Sequence, residues 1–265
     1  MTTHSTAKLI QADTVSTAWH DAVKTVRSVA DHRVFHLVVT IDQPLAEEAA
    51  IRDEVDKLLA NRGLQTVDTV ASTIMPVALA GLCSTHDELV KRYRDRYEVI
   101  KRFPKNSWGT YFGRLVAYPI GHDKRPAPVD QLAPVIKALR GRQAVAAQYE
   151  TAVATAEDMS GPSEIIDPGV LIHHPTRGRH GRGAPCLSTV AFQRDADRVH
   201  AIAHYRSHFL IERAYGNYLG LGWLVRYIAE QSGLRAGQLT VVAGYAQIDG
   251  ALSDVDETLH RIAAL

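Results

Sequence analysis

Two neighbouring runs in the second half of the chain constrain the fold more than any other feature. Residues 198–208 alternate polar with apolar side chains, residues 187–194 form a β-branched and aromatic run before them, and only Asp195-Ala196-Asp197 separates the two. Alternation with a period of two is typical of strands that bury one face, and so short a connection joins antiparallel neighbours. The sequence therefore predicts a β-hairpin, which argues against a doubly wound parallel sheet.

The rest of the chain predicts both helices and strands. We expect helices at 13–30, 44–63, 85–101, 130–148 and 217–232, with a last short helix near the carboxyl end, and strands at 33–42, 149–157 and 238–249. An extended run at 111–119 lies between them. This mixed order predicts an α+β fold, in which a mixed, mainly antiparallel sheet is packed with helices in a single domain over residues 1–265.

The charge balance and the apolar stretches exclude several classes of partner. The chain has 30 basic and 29 acidic residues, so no global field favours nucleic acid or an anionic membrane. Apolar stretches such as residues 73–82 are too short to span a bilayer, and the amino terminus lacks the apolar core of a signal peptide. We therefore expect a cytoplasmic protein with a small-molecule substrate and neither a membrane nor a nucleic-acid partner.

The two cysteines, Cys83 and Cys186, lie far apart without a CxxC spacing, so no disulfide framework or cysteine-based zinc site is predicted. Cys186 stands at the start of the hairpin and Arg206-Ser207 at its end. A thiol becomes a nucleophile as thiolate, which a nearby guanidinium favours, and Arg206 with the Ser207 hydroxyl would form a small anion clamp. The alternative is that Cys186 is a small buried apolar residue and Arg206 a surface charge.

Separated segments, taken together, resemble one family. The thymidylate synthase and deoxycytidylate hydroxymethylase superfamily has a Pro-Cys pair followed twenty residues later by Arg-Ser, and Pro185-Cys186 and Arg206-Ser207 keep that spacing without a gap. The resemblance continues through residues 208–249 and, upstream, through "TYFGRLVAYP" and "VDQLAPVIKAL". About half of the chain takes part, and residues 1–105 resemble the family only in outline.

The resemblance implies a thymidylate synthase-like domain and a specific chemistry. In the family the thiolate adds to carbon 6 of a pyrimidine nucleotide, and carbon 5 then accepts a one-carbon unit from 5,10-methylenetetrahydrofolate, giving a methyl or a hydroxymethyl group. Transferred to this chain, this makes Cys186 the nucleophile, Arg206 and Ser207 the partners of phosphate and thiolate, Asn217 the reader of the pyrimidine edge and Tyr111 a hydroxyl that lines the site. The family also implies a homodimer joined through the backs of its sheets.

The chain departs from the family where folate would bind. The acidic residue that normally contacts the folate ring falls on Phe209, which cannot accept that hydrogen bond, and the histidine that usually follows the cysteine is Leu187. No glutamate stands in the stretch "STIMPVALAGL", where the family keeps its general acid. Folate as the one-carbon donor is therefore in question, with Glu212 or Asp249 as replacement carboxylates.

Contacts to the sugar and the phosphate differ as well. The family's His-x-Tyr pair on the sugar hydroxyl falls on Gln247 and Asp249, and the partner subunit's arginine pair falls near Tyr149-Glu150. Arginines of the long Gly-, Pro-, Arg- and His-rich loop at 158–183 are candidates to restore an anion clamp; they are Arg177, Arg179 and Arg182. The alternative is that this loop is a solvated basic segment.

The histidines suggest one further catalytic candidate. His204 alternates with apolar residues along the second hairpin strand, on the face predicted for Arg206, which makes it a candidate for proton transfer; the preferred alternative is a structural, hydrogen-bonded histidine. His173, His174 and His180 lie in the long loop without matched carboxylates, so we predict no metal site there.

Three hypotheses remain open. The first is a divergent, cysteine-dependent one-carbon transferase that methylates or hydroxymethylates a pyrimidine nucleotide or a related heterocycle. The second is a protein of the same fold that binds nucleotide without the chemistry. The third is a folate-independent thiol enzyme.

Overall fold

The computed structural model describes residues 7–102, 109–118, 128–141, 149–154 and 185–265. Its strands form one seven-stranded sheet in the order β1-β2-β7-β5-β4-β3, with the short β6 beside the end of β7. Their bounds are β1 Lys8–Thr14, β2 Arg33–Gln43, β3 Glu150–Ala152, β4 Leu187–Asp195, β5 Arg198–Tyr205, β6 His208–Phe209 and β7 Arg235–Gln247.

The sheet is mixed, as predicted, but it is not mainly antiparallel. The pairs β2 with β7, β4 with β5 and β3 with β4 are antiparallel. The pairs β1 with β2, β5 with β7 and β6 with β7 are parallel. The parallel pairs arise because long crossovers, which include helices, return the chain to the middle and the edge of the sheet.

The helices cover one face of this sheet. They are α1 Val15–Arg27, α2 Ala49–Asn61, α3 Val67–Ser72, α4 Val77–Ala80, α5 His86–Lys101, α6 Tyr111–Val116, α7 Leu132–Leu139, α8 Tyr215–Ser232 and α9 Leu252–Ala263. A π-helical turn, Leu210–Ala214, joins β6 to α8. Within the described ranges, none of these helices is both long and apolar enough to cross a membrane.

Helix α8 forms the centre of the core. It is apolar on almost every side, and most of its residues are buried between β5, β7, α1, α3 and α7. Its glycines allow close approach of neighbouring backbone: a Cβ at Gly222 would lie 1.9 Å from the carbonyl oxygen of Pro44. Helix α8 therefore packs closely against the segment that follows β2, and its first turn carries Asn217.

The opposite face of the sheet remains accessible across its central strands. Phe35 on β2 is 54% exposed and Ile202 on β5 is 40% exposed, although both are large apolar residues. Between them, the Thr40 and Thr240 hydroxyls hydrogen-bond at 3.2 Å. We call this side the outward face; it is a mixed apolar and polar surface.

One local prediction from the sequence is wrong, and one strand was not predicted. Residues 111–116 of the run predicted as extended are helical, because the Thr110 side chain accepts a hydrogen bond from the Gly113 amide and begins α6, which buries Phe112 and Leu115. Strand β1 was not predicted, because it lies at the sheet edge with Leu9 and alternate neighbours exposed. The predicted hairpin, by contrast, is confirmed, with Asp195 opposite Arg198 at its turn.

Candidate active site around Cys186

The hairpin brings Cys186 and Arg206 together. Leu187 pairs with Tyr205 at the end of the β4–β5 ladder, and one residue further the Arg206 amide donates a hydrogen bond of 2.9 Å to the Cys186 carbonyl oxygen. The Arg206 guanidinium also hydrogen-bonds the Cys186 thiol. The side chains that the sequence placed opposite each other therefore touch.

Burial and positive charge act on the thiol in opposite directions. Burial raises the pKa of the Cys186 thiol, whereas the guanidinium groups of Arg206 and Arg213 lower it. Burial is the larger effect, so this pKa lies above its ordinary value. The expectation that a guanidinium would make the resting thiol acidic is thus only half right, because the desolvation of the pocket outweighs it.

Tyr111, which the resemblance implied as a hydroxyl lining the site, lies close enough to the Cys186 thiol to interact with it electrostatically. Its ring is 9% exposed at the first turn of α6 and meets Tyr205 edge-on, with ring centres 6.4 Å apart. The backbone amides of Leu187 and Cys186 donate hydrogen bonds to its hydroxyl. Burial raises the pKa of Tyr111 above its ordinary range, so the phenol is neutral and serves as a polar wall rather than as a base.

Arg213 is a site residue that the sequence reasoning missed. It lies in the π-helical turn, where its guanidinium donates to Gln65 Oε1 at 2.7 Å and pairs with Glu212 at 2.9 Å. Its positive charge acts to lower the pKa of both the Cys186 thiol and the Tyr111 phenol. Its spacing of four residues before Asn217 gives no reliable signal in the sequence, because Arg213 lies in the π-helical turn and not in the regular helix that carries Asn217.

Asn217 is almost completely buried at 2% exposure, and its amide is directed by a histidine. Its Nδ2 donates a hydrogen bond of 3.1 Å to Nε2 of His208, which follows Ser207 directly in the chain. Its Oδ1 has no partner among the described residues. His208 was not predicted as a site residue.

Unpartnered polar atoms concentrate around this pair. Tyr205 stacks on the His208 ring at 4.4 Å, and Tyr218 meets the other edge of the ring at 5.5 Å. Both hydroxyls and His208 Nδ1 are buried and find no hydrogen-bond partner within the part of the chain that the structure describes. We call Tyr205, His208, Asn217 and Tyr218 the buried polar cluster. Since unpaired buried polar atoms are costly, these atoms require hydrogen-bond partners that the described residues do not supply.

The carboxylates proposed as replacements are engaged. Both oxygens of Asp249 accept backbone hydrogen bonds, from Ile211 at 2.8 Å and from Glu212 at 2.9 Å, and so cap the π-helical turn. Burial raises the pKa of Asp249, and the two amides act against that rise. Glu212 pairs with Arg213. Asp249 therefore positions the turn instead of facing the sugar or folate.

The remaining predicted residues surround the ends of β6 and β7. Ser207 is buried at 1% exposure in the bend after β5, next to Arg206. Phe209 is partly buried on β6, and its backbone pairs with that of Gln247 on β7. Ser207 thus lies beside the thiol–guanidinium pair, whereas Gln247 lies at the end of β7, opposite Phe209 and Arg33.

The structure does not bring His204 to this site. His204 is exposed on the outward face, opposite Thr189 and Val242, whereas its neighbour Tyr205 points inward. The expected alternation fails because the chain bends at Arg206 and Ser207, so that the face of Arg206 no longer follows from that of His204. Its assignment to the pocket side was therefore wrong.

Several candidates lie outside the described residues. These are Arg177, Arg179 and Arg182 of the long loop and its histidines, His173, His174 and His180. The second cysteine, Cys83, is remote from the site: its thiol donates to the Leu79 carbonyl at 3.2 Å beside a cavity of about 280 Å³ that Trp223 also lines.

Comparisons with known proteins leave the family open. No protein-family model and no curated protein matches the chain. The candidate site therefore stands on its own geometry: a thiol between two guanidinium groups, next to a buried polar cluster with unpartnered atoms.

Proposed function

We propose that the protein is a divergent, cysteine-dependent one-carbon transferase of the thymidylate synthase type, acting at carbon 5 of a pyrimidine nucleotide or a related heterocycle. The observation that carries the proposal is the contact of the Cys186 thiol with the Arg206 guanidinium, with Arg213 as a second positive charge. Two guanidinium groups beside a desolvated thiol stabilise the thiolate when it forms and attract an anionic substrate.

The reaction begins with addition of sulfur to the ring. The Cys186 thiolate forms a bond to carbon 6, and the electron pair of the carbon 5–carbon 6 double bond moves onto the ring and its carbonyl oxygen. Carbon 5 then attacks an electrophilic carbon at the oxidation level of formaldehyde, whose double-bond electron pair moves to its oxygen, which takes up a proton. Carbon 5 loses its proton, the sulfur leaves and the ring double bond re-forms, which gives a hydroxymethyl product; a methyl product would require a hydride donor in addition. Because burial raises the pKa of the free thiol, the thiolate depends on the two arginines.

Substrate binding follows from the same residues. Arg206 and the adjacent buried Ser207 would bind the nucleotide phosphate, and Asn217 would bind the ring edge through its unpartnered Oδ1. Tyr111 would line the pocket with a neutral hydroxyl. These residues hold and orient the ring, while Cys186 supplies the covalent step.

Methylenetetrahydrofolate remains the donor that the family resemblance suggests, but the described residues do not fit its usual contact. Phe209 offers no acceptor, Glu212 is paired with Arg213, and Asp249 is occupied by two backbone amides. We therefore derive no step through folate. The same observation favours a second candidate function, a folate-independent thiol enzyme or nucleotide-binding protein that uses this pocket.

We further propose that the protein forms a homodimer through the outward face of its sheet. Phe35 on β2 and Ile202 on β5 are large apolar side chains that stay exposed on the outward face. A two-fold contact of this face with itself would bury both. A second copy is also the arrangement that the family resemblance implies.

Mass spectrometry after incubation with UMP, dUMP, CMP or dCMP, each with and without methylenetetrahydrofolate, tests the catalytic proposal. We expect a covalent adduct or a mass gain, together with tritium release from carbon 5, in the wild type and in Cys83→Ala but not in Cys186→Ala. Adducts that form equally without folate would favour the second candidate. If none of the four nucleotides gave an adduct, a mass gain or tritium release, and none bound by calorimetry, both candidate functions would be contradicted.

A further inference from the structure

We propose that His208 is a positioning residue that fixes the side-chain amide of Asn217, so that the site selects a uracil-type ring edge over a cytosine-type one. This inference rests on the proposed function, because it takes Asn217 as the group that reads the ring. It assigns a role to the buried histidine between the thiol site and helix α8.

The hydrogen bond between the two side chains determines the tautomer. Asn217 Nδ2 can only donate, so His208 Nε2 must be the acceptor in their 3.1 Å contact. In a neutral imidazole the proton then lies on Nδ1. As long as the proton stays on Nδ1, turning the amide over would place Asn217 Oδ1 against the lone pair of Nε2, so that two acceptors would meet.

The surroundings of the ring keep this arrangement in place. His208 is 1% exposed, stacked on Tyr205 with an angle of 14° between the ring planes and held from the side by Tyr218. Burial lowers the pKa of His208 to about 3, so the ring stays neutral near neutral pH. A neutral, immobile acceptor is what a fixed amide orientation requires.

The fixed amide has a consequence for the ligand. Asn217 Oδ1 is buried and without a partner in the described ranges, so it requires a donor from the ligand. A uracil edge presents its ring N–H beside a carbonyl, whereas a cytosine edge presents a bare ring nitrogen beside an amine. The two edges thus carry donor and acceptor in opposite order, and an amide that cannot turn over matches one of them.

Calorimetric titration with dUMP and dCMP tests the selectivity. We expect the wild type to bind dUMP at least about tenfold more tightly than dCMP, the difference that one mismatched buried hydrogen bond typically makes. His208→Leu frees the amide to turn over and should bring the ratio of the two dissociation constants close to one. His208→Gln, which retains an acceptor, should restore the preference. His204→Leu, on the outward face, should behave as wild type.

Circular dichroism shows whether each variant is folded. An unchanged ratio in folded His208→Leu, or a wild-type preference for dCMP, would overturn the inference.

A second measurement needs no ligand and no variant. The ¹⁵N chemical shifts of the imidazole nitrogens of His208 in the unliganded protein should show a protonated Nδ1 and a bare, hydrogen-bonded Nε2. A protonated Nε2 would overturn the positioning role. If neither nucleotide binds, the proposed function fails, and these shifts still decide whether His208 holds the Asn217 amide.

Discussion

The backbone amide of Arg206 donates a 2.9 Å hydrogen bond to the carbonyl oxygen of Cys186. This bond extends the β4–β5 ladder one residue beyond the pair of Leu187 and Tyr205. It places the thiol and the guanidinium side by side, although neither residue belongs to a strand. The contact on which the proposed chemistry depends thus follows from the β-bulge between Leu187 and Thr189, which shifts the hairpin register by one residue.

Replacing Arg206 by Gln should make the thiol of Cys186 less reactive. Loss of the guanidinium removes a positive charge and a hydrogen bond that lower the thiol pKa against the effect of burial, so the pKa rises further. A rise of one unit gives about tenfold slower alkylation at pH values below the pKa, because only the thiolate reacts. The rate of alkylation by iodoacetamide as a function of pH, in a Cys83→Ala background, measures this.

Arg198→Gln is the matched control for this experiment. Arg198 lies at the other end of β5 and donates to the Ala236 carbonyl at the surface. We expect its alkylation profile to match the wild type. If the alkylation profile of Arg206→Gln also matched that of the wild type, Arg206 would have no effect on the reactivity of the Cys186 thiol.

Replacing Arg213 by Gln should have a smaller effect on the thiol and a clear effect on anion binding. Arg213 acts on Cys186 through its charge alone, whereas Arg206 also hydrogen-bonds the thiol. We expect alkylation to slow by about threefold at neutral pH and dUMP to bind about tenfold more weakly, the typical result of losing one charge-assisted contact. Arg226→Gln, on the exposed side of α8, is the control; equal losses in both variants would point to a general charge effect.

Much of the site geometry could be predicted from the hairpin. The short turn fixes the register from Asp195 opposite Arg198 to Thr189 opposite His204, and continued unchanged it would place Cys186 opposite Ser207. The β-bulge between Leu187 and Thr189, which the sequence does not predict, brings Arg206 to that place instead. The prediction for His204 failed because alternation was extended through the bend at 206–207, where the strand has already ended. Periodicity predicts a side-chain direction only as far as the hydrogen-bonded ladder continues.

The missed residues lie where local patterns carry little information. Arg213 is in a π-helical turn, whose hydrogen bonding differs from the helical period used to read sequences. That turn depends on Asp249, which is distant in sequence and looked like a ligand-binding carboxylate. His208 is recognised only through its contact with Asn217. Such tertiary capping and pairing cannot be inferred from a single sequence.

A charge in the outward face should separate the proposed dimer. Ile202 is 40% exposed in the middle of β5, so Ile202→Asp places a carboxylate in the centre of the contact without disturbing the core. We expect sedimentation velocity to show a dimer for the wild type and a monomer for this variant. Leu82→Asp, at another exposed apolar position, should remain dimeric. A monomeric wild type would contradict the proposal.

The buried histidine should make the protein less stable in mild acid. Burial lowers the pKa of His208 to about 3, below the ordinary value of 6.5, so between these values the unfolded chain binds the extra proton. The contribution of neutral His208 to the free energy of unfolding is therefore complete above about pH 6.5. It is lost as the pH falls towards 3, because the unfolded chain takes up the proton and the folded protein does not. The expected loss between pH 7 and pH 5.5 is about 1 kcal/mol.

Urea unfolding at both pH values, for the wild type and for His208→Gln, isolates this contribution. The variant should lack the part of the pH dependence that His208 provides, whereas His204→Gln, at an exposed position, should retain it. If His208→Gln showed the same pH dependence as the wild type, His208 would not be the group that titrates.

Replacing Asp249 by Asn should weaken both the fold and the site. Each carboxylate oxygen of Asp249 accepts one backbone amide of the π-helical turn, and an asparagine can replace only one of these acceptors. The remaining buried amide then faces a donor, which costs about 1–3 kcal/mol of unfolding free energy. Because the same turn carries Arg213 and leads into Asn217, dUMP affinity should fall together with the urea midpoint. Asp53→Asn, exposed on α2, should change neither quantity, and a stable Asp249→Asn variant would show that the turn is held by other contacts.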